Sequence, residues 1–259
     1  MPPRPRIHPA VRGFDRVAAA YERGRPDYPA AAVRHLGRVL RLGPSTTVVD
    51  LGSGTGKFTR ALAPLGAARI AVEPTTGMRE VFARVLPEVP VLDGTAEAIP
   101  LPDAIADAVV CAQSFHWFRG RRALREFARI LRPRGGVGLL WNTRDETVSW
   151  SAQISEIIRE YRRKERPRGH GDRWKEAFSG PASPFGPLHA RVFRHVQRAS
   201  PRQFADRFLS VSVVAVQPEV VRQRIAREVR EILRTDPLTR GRRVLTLPME
   251  TEVYWAYLR

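Results

Sequence analysis

The stretch Thr46–Arg60, TTVVDLGSGTGKFTR, limits the possible folds of this chain more than any other. Thr47–Asp50 reads as a short buried strand. Glycine then stands at every second position, as Gly52, Gly54 and Gly56, with Ser53 and Thr55 between, and a helix pattern opens at Lys57 and Phe58. A strand, a glycine turn and a helix form the unit by which α/β proteins hold nucleotide-like ligands. Glycine accepts φ > 0 and lets a ligand approach where a Cβ would intrude. The start of the helix offers unpaired N–H groups.

Spacing narrows the ligand. A dinucleotide fingerprint needs G-x-G-x-x-G, but the sixth position is Lys57 counted from Gly52 and Thr59 counted from Gly54. A phosphate-binding G-x-x-x-x-G-K-[ST] loop needs glycine where Lys57 stands. What remains is D-x-G-x-G-x-G, with Asp50 closing the strand. An acid aimed into the turn suits a ligand with an amine or ammonium group, not a pyrophosphate.

The following residues extend this half-site. Arg69–Glu73 reads as a second strand whose last residue, Glu73, lies 17 positions beyond Gly56. An acid at that strand end can accept both hydroxyls of a ribose. Pro74–Leu86 reads as a helix, Val89–Leu92 as a third strand and Asp107–Ala112 as a fourth. The loop after the fourth strand, Gln113–Phe118 (QSFHWF), mixes Gln113, Ser114 and His116 with Phe115, Trp117 and Phe118. A loop so aromatic must bury against something, either a ligand, whose cation an aromatic face attracts, or the core. His116 is either a general base near neutral pH or a structural histidine bonded to backbone. Arg119–Leu131 reads as a helix, Arg132–Gly136 as a turn and Gly138–Asn142 as a fifth strand.

These residues together resemble class I S-adenosylmethionine-dependent methyltransferases of the small-molecule type. The D-x-G-x-G-x-G turn is similar to their first motif. F-D-x-x-A-x-x-Y-x-x-x-R-P-x-Y-P from Phe14, Leu-x-Pro-x-Gly-Gly from Leu131 and the EVYW segment Glu252–Trp255 add to the likeness. The resemblance implies a doubly wound, mostly parallel seven-stranded α/β sheet, a Rossmann-like methyltransferase fold, with S-adenosyl-L-methionine as cofactor. It implies cofactor contacts from Tyr21, Arg25, Asp50, Gly52, Ser53, Gly54, Thr55, Gly56, Glu73, Pro74, Met78, Thr95, Ala96, Glu97, Gln113 and Ser114. Tyr21 would otherwise only pack in a capping helix, and Met78 would only pack. Where the family often has an acid for the adenine amino group, this chain has Thr95. The FHWF and WNTRD loops resemble those of enzymes related to the trans-aconitate carboxyl methyltransferases. That implies an acidic or phenolic metabolite as acceptor, with substrate contacts from His116, Trp117, Trp141, Arg144 and Trp174.

Residues 1–10 are expected to form a disordered arm, 11–147 the cofactor-binding core, 148–242 a lid and substrate-binding insertion carrying a sixth strand, and 243–259 the closing strand, broken at Pro248. Within the insertion, Lys164–Pro187 is irregular, and such long segments are often functional covers. No apolar run reaches the roughly 18 residues of a membrane span. Cys111 is the single cysteine, which excludes a disulfide framework or zinc cluster. With no secretory leader visible, a cytoplasmic setting is expected. The net charge of +18 rests almost wholly on arginine, since Lys57, Lys164 and Lys175 are the only lysines. The arginines are spread along the chain, not gathered in one tract. That suits an anionic small substrate better than a nucleic acid, with an RNA or protein methyltransferase, or a protein of this fold that binds the cofactor without transferring methyl, as the alternatives.

Overall fold

The computed structural model describes residues 13–164 and 172–259. The expected N-terminal arm, residues 1–10, lies outside them, as does part of the irregular segment, 165–171. Helices α1 (Phe14–Gly24) and α2 (Ala30–Val39) precede strand β1 (Thr47–Leu51). Then follow α3 (Lys57–Ala61), β2 (Ala68–Val72), α4 (Thr76–Val85), β3 (Val91–Leu92), β4 (Ala106–Ala112), α5 (Gly120–Ile130) and β5 (Leu131–Arg144). The rest comprises α6 (Ser149–Lys164), β6 (His189–Ala199), α7 (Pro201–Leu209), α8 (Ser212–Ala215), α9 (Glu219–Thr235) and β7 (Leu245–Tyr257).

The seven strands form one sheet in the order β3-β2-β1-β4-β5-β7-β6. β1 to β5 pair in parallel, and β7 runs antiparallel between β5 and β6. This is the doubly wound sheet expected from the sequence. The period of two along each strand decides which core a residue joins. Val49, Leu51, Val109 and Leu139 face α5, meeting Leu124, Phe127 and Ile130. Val48, Val110 and Leu140 face the other way, meeting Val33 and Leu36 of α2 together with Phe58 and Leu62. Because both faces are covered, the central strands are apolar without alternation. The chain winds outward in opposite directions from β1 and β4, so the crevice beyond their carboxyl ends is where such sheets bind ligands.

Helices α6, α7, α8 and α9 build a third core of their own against β7. Trp150, Ile154, Phe204, Phe208, Ile225 and Val229 pack there with Leu245, Leu247 and Met249. Ser200 caps α7 with its hydroxyl while Gln203 reaches back, a reciprocal pair that starts the helix sharply. α1 spans the two parts of the molecule. Its Ala18 packs with Met78 and Val81 of α4, and its last residue, Gly24, lies on the backbone of α7.

Three local expectations change. The helix pattern that opens at Lys57 is only five residues of α-helix, followed by a 3-10 turn, Ala63–Leu65. The Arg132–Gly136 turn lies inside β5 as a bulge, because pairing with β4 jumps from Leu131 to Gly136 between Ala106 and Ala108. Arg134 takes the left-handed conformation there, at φ +68°. Finally, Pro248 does not break β7. The strand pairs with β5 only as far as Met249, so the missing N–H of Pro248 falls past the end of that ladder.

The α1–α7 contact yields a stability prediction. A Cβ on Gly24 would stand 2.2 Å from the Arg207 backbone nitrogen, whereas a Cβ on Gly43 would meet nothing within 4 Å. Overpacking of this kind costs about 1–3 kcal/mol. Thermal unfolding should therefore show Gly24→Ala clearly less stable and Gly43→Ala close to wild type.

Candidate active site

The glycine turn is held open by its own backbone and by its neighbours. Gly52, Gly54 and Gly56 adopt φ of +65°, +57° and +88°, a region that side chains with a Cβ enter at a cost. A Cβ on Gly52 would also lie 2.7 Å from that of Ser114, and one on Gly56 would lie 2.7 Å from Leu86 Cδ1. Gly54 differs, since its nearest neighbour would be Tyr21 Cε1 at 4.0 Å. The turn is thus packed from behind at Gly52 and Gly56 and open in front at Gly54.

Glu73 ties the turn to the second strand. Its Oε2 accepts the Gly54 N–H at 2.9 Å. Its Oε1 accepts from the Thr75 N–H at 3.0 Å and the Thr75 hydroxyl at 2.6 Å. The carboxylate is buried, and burial raises its pKa while the Thr75 and Gly54 donors oppose that rise. A carboxylate has about four lone-pair sites, so these three bonds leave room for another donor. Asp50 is buried deeper, 1% exposed. Its Oδ2 accepts the Thr59 hydroxyl at 2.6 Å, which fastens the end of β1 to α3. Burial pushes its pKa up to about 7, against the Thr59 bond and with help from the Glu73 charge.

Several side-chain atoms in this crevice lack a protein partner. Asp50 Oδ1, Ser53 Oγ and Thr95 Oγ1 are buried and make no hydrogen bond among the described residues. Leaving such a group unsatisfied costs about 1–3 kcal/mol. All three were singled out from the sequence as cofactor contacts. An acid, a hydroxyl beside the turn and a hydroxyl beyond β3 are a donor set that fits the amine, ribose and base of S-adenosylmethionine.

The structure sorts the other sequence-assigned residues into groups. Ser114 donates to the Leu51 carbonyl at 2.7 Å, and Gln113 donates to the Asn142 carbonyl at 3.0 Å from a left-handed backbone. Both brace the crevice from the β4 side. Ala96 is buried in the main core, and Pro74 is half-buried just after Glu73. Glu97 accepts the Arg119 N–H at 2.7 Å, at the start of α5. Met78 packs beneath α1. Thr55 donates to Glu22 at 2.5 Å. Glu22 in turn pairs with Arg60 and Lys57. Sequence reasoning missed Glu22; two cations one helical turn apart, Lys57 and Arg60, signal a need for acids without saying which.

Tyr21 stands over Gly54 with the Arg25 guanidinium 4.9 Å from its ring centre. Arg25 itself donates to the Ser210 hydroxyl and carbonyl, so it leans toward the helical part, away from the turn. Arg144 does the same, donating to Ser155 at 2.7 Å and pairing with Glu146.

His116, Trp117, Trp141 and Trp174 do come together. Trp141 and Trp174 stack at 4.5 Å, Tyr254 meets Trp174 edge-on at 5.0 Å, and the Phe14 ring meets Trp117 at 6.4 Å. Trp141 Nε1–H donates to His116 Nδ1 at 3.1 Å. With Nδ1 accepting, the neutral imidazole carries its proton on Nε2. In this arrangement His116 is a donor, which argues against its reading as a general base. Trp174 belongs to a 3-10 segment, Asp172–Phe178, pinned to the sheet by Ala177 and Phe178.

Comparison with known proteins agrees with this geometry. The family model described as "Methyltransferase domain" matches residues 49–138. The uncharacterized methyltransferase Rv3342 of Mycobacterium tuberculosis is 37% identical over 238 residues, covering 92% of both chains. The uncharacterized methyltransferase-like C25B8.10 of Schizosaccharomyces pombe is 34% identical over 94% of both. Among solved structures, a protein assigned as a type II methyltransferase from Anaeromyxobacter dehalogenans shares the fold, with a TM-score of 0.64, 23% identity, and 91% of this chain and 97% of that one covered. The chain belongs to the class I S-adenosylmethionine-dependent methyltransferases, in the methyltransferase-domain family.

Proposed function

We propose that this methyltransferase acts on a small-molecule acceptor, a carboxylate, a phenol or a similar metabolite, by in-line displacement. The observation that carries the reading is the pairing, across one crevice, of the Asp50–Gly54–Glu73 polar wall with the His116–Trp117–Trp141–Trp174 aromatic wall. The bound cofactor supplies an electrophilic methyl group on a sulfonium. The protein's part is to position and to exclude water. Glu73 accepts from a ribose hydroxyl through its remaining lone pair while its bonds to Gly54 and Thr75 hold it still. Asp50 answers the ammonium group through Oδ1, and Thr95 with the Ala96 N–H meets the adenine edge. Tyr21 and Phe14 of α1 cover the crevice.

On the acceptor side, the tryptophans form an apolar wall, and His116 Nε2–H donates to an acceptor oxygen. A carboxylate nucleophile needs no base. Residues 148–242 are the substrate-binding part; Trp150 and its neighbours there pack on β7, and Trp174 packs on the main core beside Trp141. A nucleic-acid substrate is the weaker reading. Arg23, Arg60, Arg129, Arg132 and Arg194 are each paired to acids, which competes with pairing to a phosphate backbone.

Two binding measurements check the site. Hydrogen bonds to a charged group are worth about 1.5–3 kcal/mol, so Glu73→Gln should weaken S-adenosylhomocysteine by roughly 10- to 100-fold in titration calorimetry. Unchanged affinity would sink the assignment.

The second measurement uses pH. Asp50 titrates near 7 in the free protein, and an ammonium partner favours its charged form. Affinity should therefore rise with pH from about 5.5, approaching tenfold per unit, and level off above 7. Asp50→Asn should flatten that profile. For stability the sign is opposite. A raised folded-state pKa makes the Asp50 contribution greatest below its unfolded value near 4, and it is lost as pH climbs through 7.

A further inference from the structure

Arg207 is a buried guanidinium without an anion. It lies on α7, 4% exposed. Its Nη1 donates to Gln197 Oε1 and to Met249 Sδ. Its Nε and Nη2 make no hydrogen bond, and no carboxylate lies within ion-pair distance, among the described residues. Burial, reinforced by the charges of Arg25 and Arg144, pushes its pKa well below the usual arginine range. Burying an uncompensated charge costs several kcal/mol. Here two more guanidiniums stand close enough to raise that cost.

Among the described residues Arg25 and Arg207 are held by uncharged partners, whereas Arg144 is held by a hydroxyl and a carboxylate. Arg25 is fixed by Ser210, whose hydroxyl also donates to the Arg207 carbonyl at 2.8 Å. Arg144 is fixed by Ser155, and its acid partner Glu146 is shared with Arg159. Gln197 spends its amide on the Gly24 carbonyl, leaving only its oxygen for Arg207. His195, the nearby titratable group on β6, is itself pushed toward neutrality by burial and by Arg207. Arg207 and Arg25, joined through Ser210, therefore form a positive field with no carboxylate partner among the described residues.

The position of this field is informative. Arg144 ends β5, Met249 lies near the start of the antiparallel β7, and Gln197 is near the end of β6. All three therefore stand at the carboxyl edge of the sheet, the edge of the cofactor crevice. Arg25 connects the two directly, since its guanidinium covers the same Tyr21 ring that stands over Gly54.

We infer that Arg207, with Arg25, is an oxyanion anchor that grips a carboxylate or phosphate group of the acceptor other than the atom that is methylated. The inference rests on the small-molecule reading above and deepens it. Guanidinium forks match both oxyanions bidentately, and an anion between them relieves their mutual repulsion. An oxyanion so clamped is a poor nucleophile. The acceptor must therefore carry its reacting group separately, with the anchor setting the distance between them.

The test uses the full chain saturated with S-adenosylhomocysteine. Succinate, citrate and inorganic phosphate are titrated at ionic strength matched with chloride, and thermal shift and calorimetry are read together. At least one oxyanion should stabilise the protein beyond chloride. Arg207→Met should weaken that oxyanion on the order of tenfold or more, as loss of a charge-assisted pair predicts. The variant's own melting temperature without oxyanion should be equal to wild type or higher, because an unpaired buried charge has been removed. A merely structural arginine would lower it. Arg25→Gln must weaken the same oxyanion, and this second variant decides the matter if Arg207→Met does not fold. Oxyanions no better than chloride, or a full effect retained in either folded variant, would overturn the anchor. Preference for phosphate or for the carboxylates identifies which oxyanion the acceptor carries. If S-adenosylhomocysteine itself does not bind, the failure belongs to the cofactor reading and takes the anchor with it; if it binds and the oxyanions do not, the anchor alone fails.

Discussion

The bond from the Gly54 N–H to Glu73 organises this protein. It joins the turn after β1 to the end of β2 across the parallel pair, at the point where the backbone bends through three left-handed glycines. Neither half is stable in its conformation alone. The turn needs an acceptor for an N–H that no strand or helix takes, and the buried carboxylate needs donors to stay ionised. Thr75 supplies two more. The result is a preorganised acid facing an open glycine, with little left to rearrange when a polyhydroxylated ligand arrives.

From that point the molecule is built outward in two directions of different chemistry. Toward β4 and β5 the crevice becomes aromatic, with Phe115 joining the main core and Trp141 stacked on Trp174. Toward β6 and α7 stand the side chains of Arg25, Arg144 and Arg207. The helix α1 touches every part, through Phe14 on Trp117, Tyr21 over Gly54, Glu22 on Thr55 and Gly24 on α7. A helix with so many short contacts to separate units is well placed to couple cofactor and acceptor binding, because movement of either unit is felt in its packing.

Much of this was legible in the sequence where the determining physics is local. The left-handed turn was readable because three glycines at alternate positions have few other uses, and the strands because their apolar runs have one workable length. The place of Glu73 at the end of the second strand was readable too, whereas its bonds to Gly54 and Thr75 appear only in the fold. Local reading failed where partners come from afar. Arg132–Gly136 looked like a turn because Pro133 and two glycines favour one, yet β4 accommodates it as a bulge. His116 looked like a base because a histidine ordinarily titrates near neutral pH, yet a tryptophan 25 residues away donates to Nδ1. The bonds of Arg25 to Ser210 and of Arg144 to Ser155 were set by the fold, and nothing local pointed to Arg207.

The sequence by itself therefore determined the sheet, the glycine turn and the family, since strand period, glycine backbone freedom and the spacing of Asp50 and Glu73 act over a few residues. The tertiary structure alone decided which polar atoms are left without partners and which charges are left without counter-ions. Those properties depend on burial. Burial of Asp50 Oδ1 or of the Arg207 guanidinium is set by helices and strands far away in the chain, brought together only when the cores close.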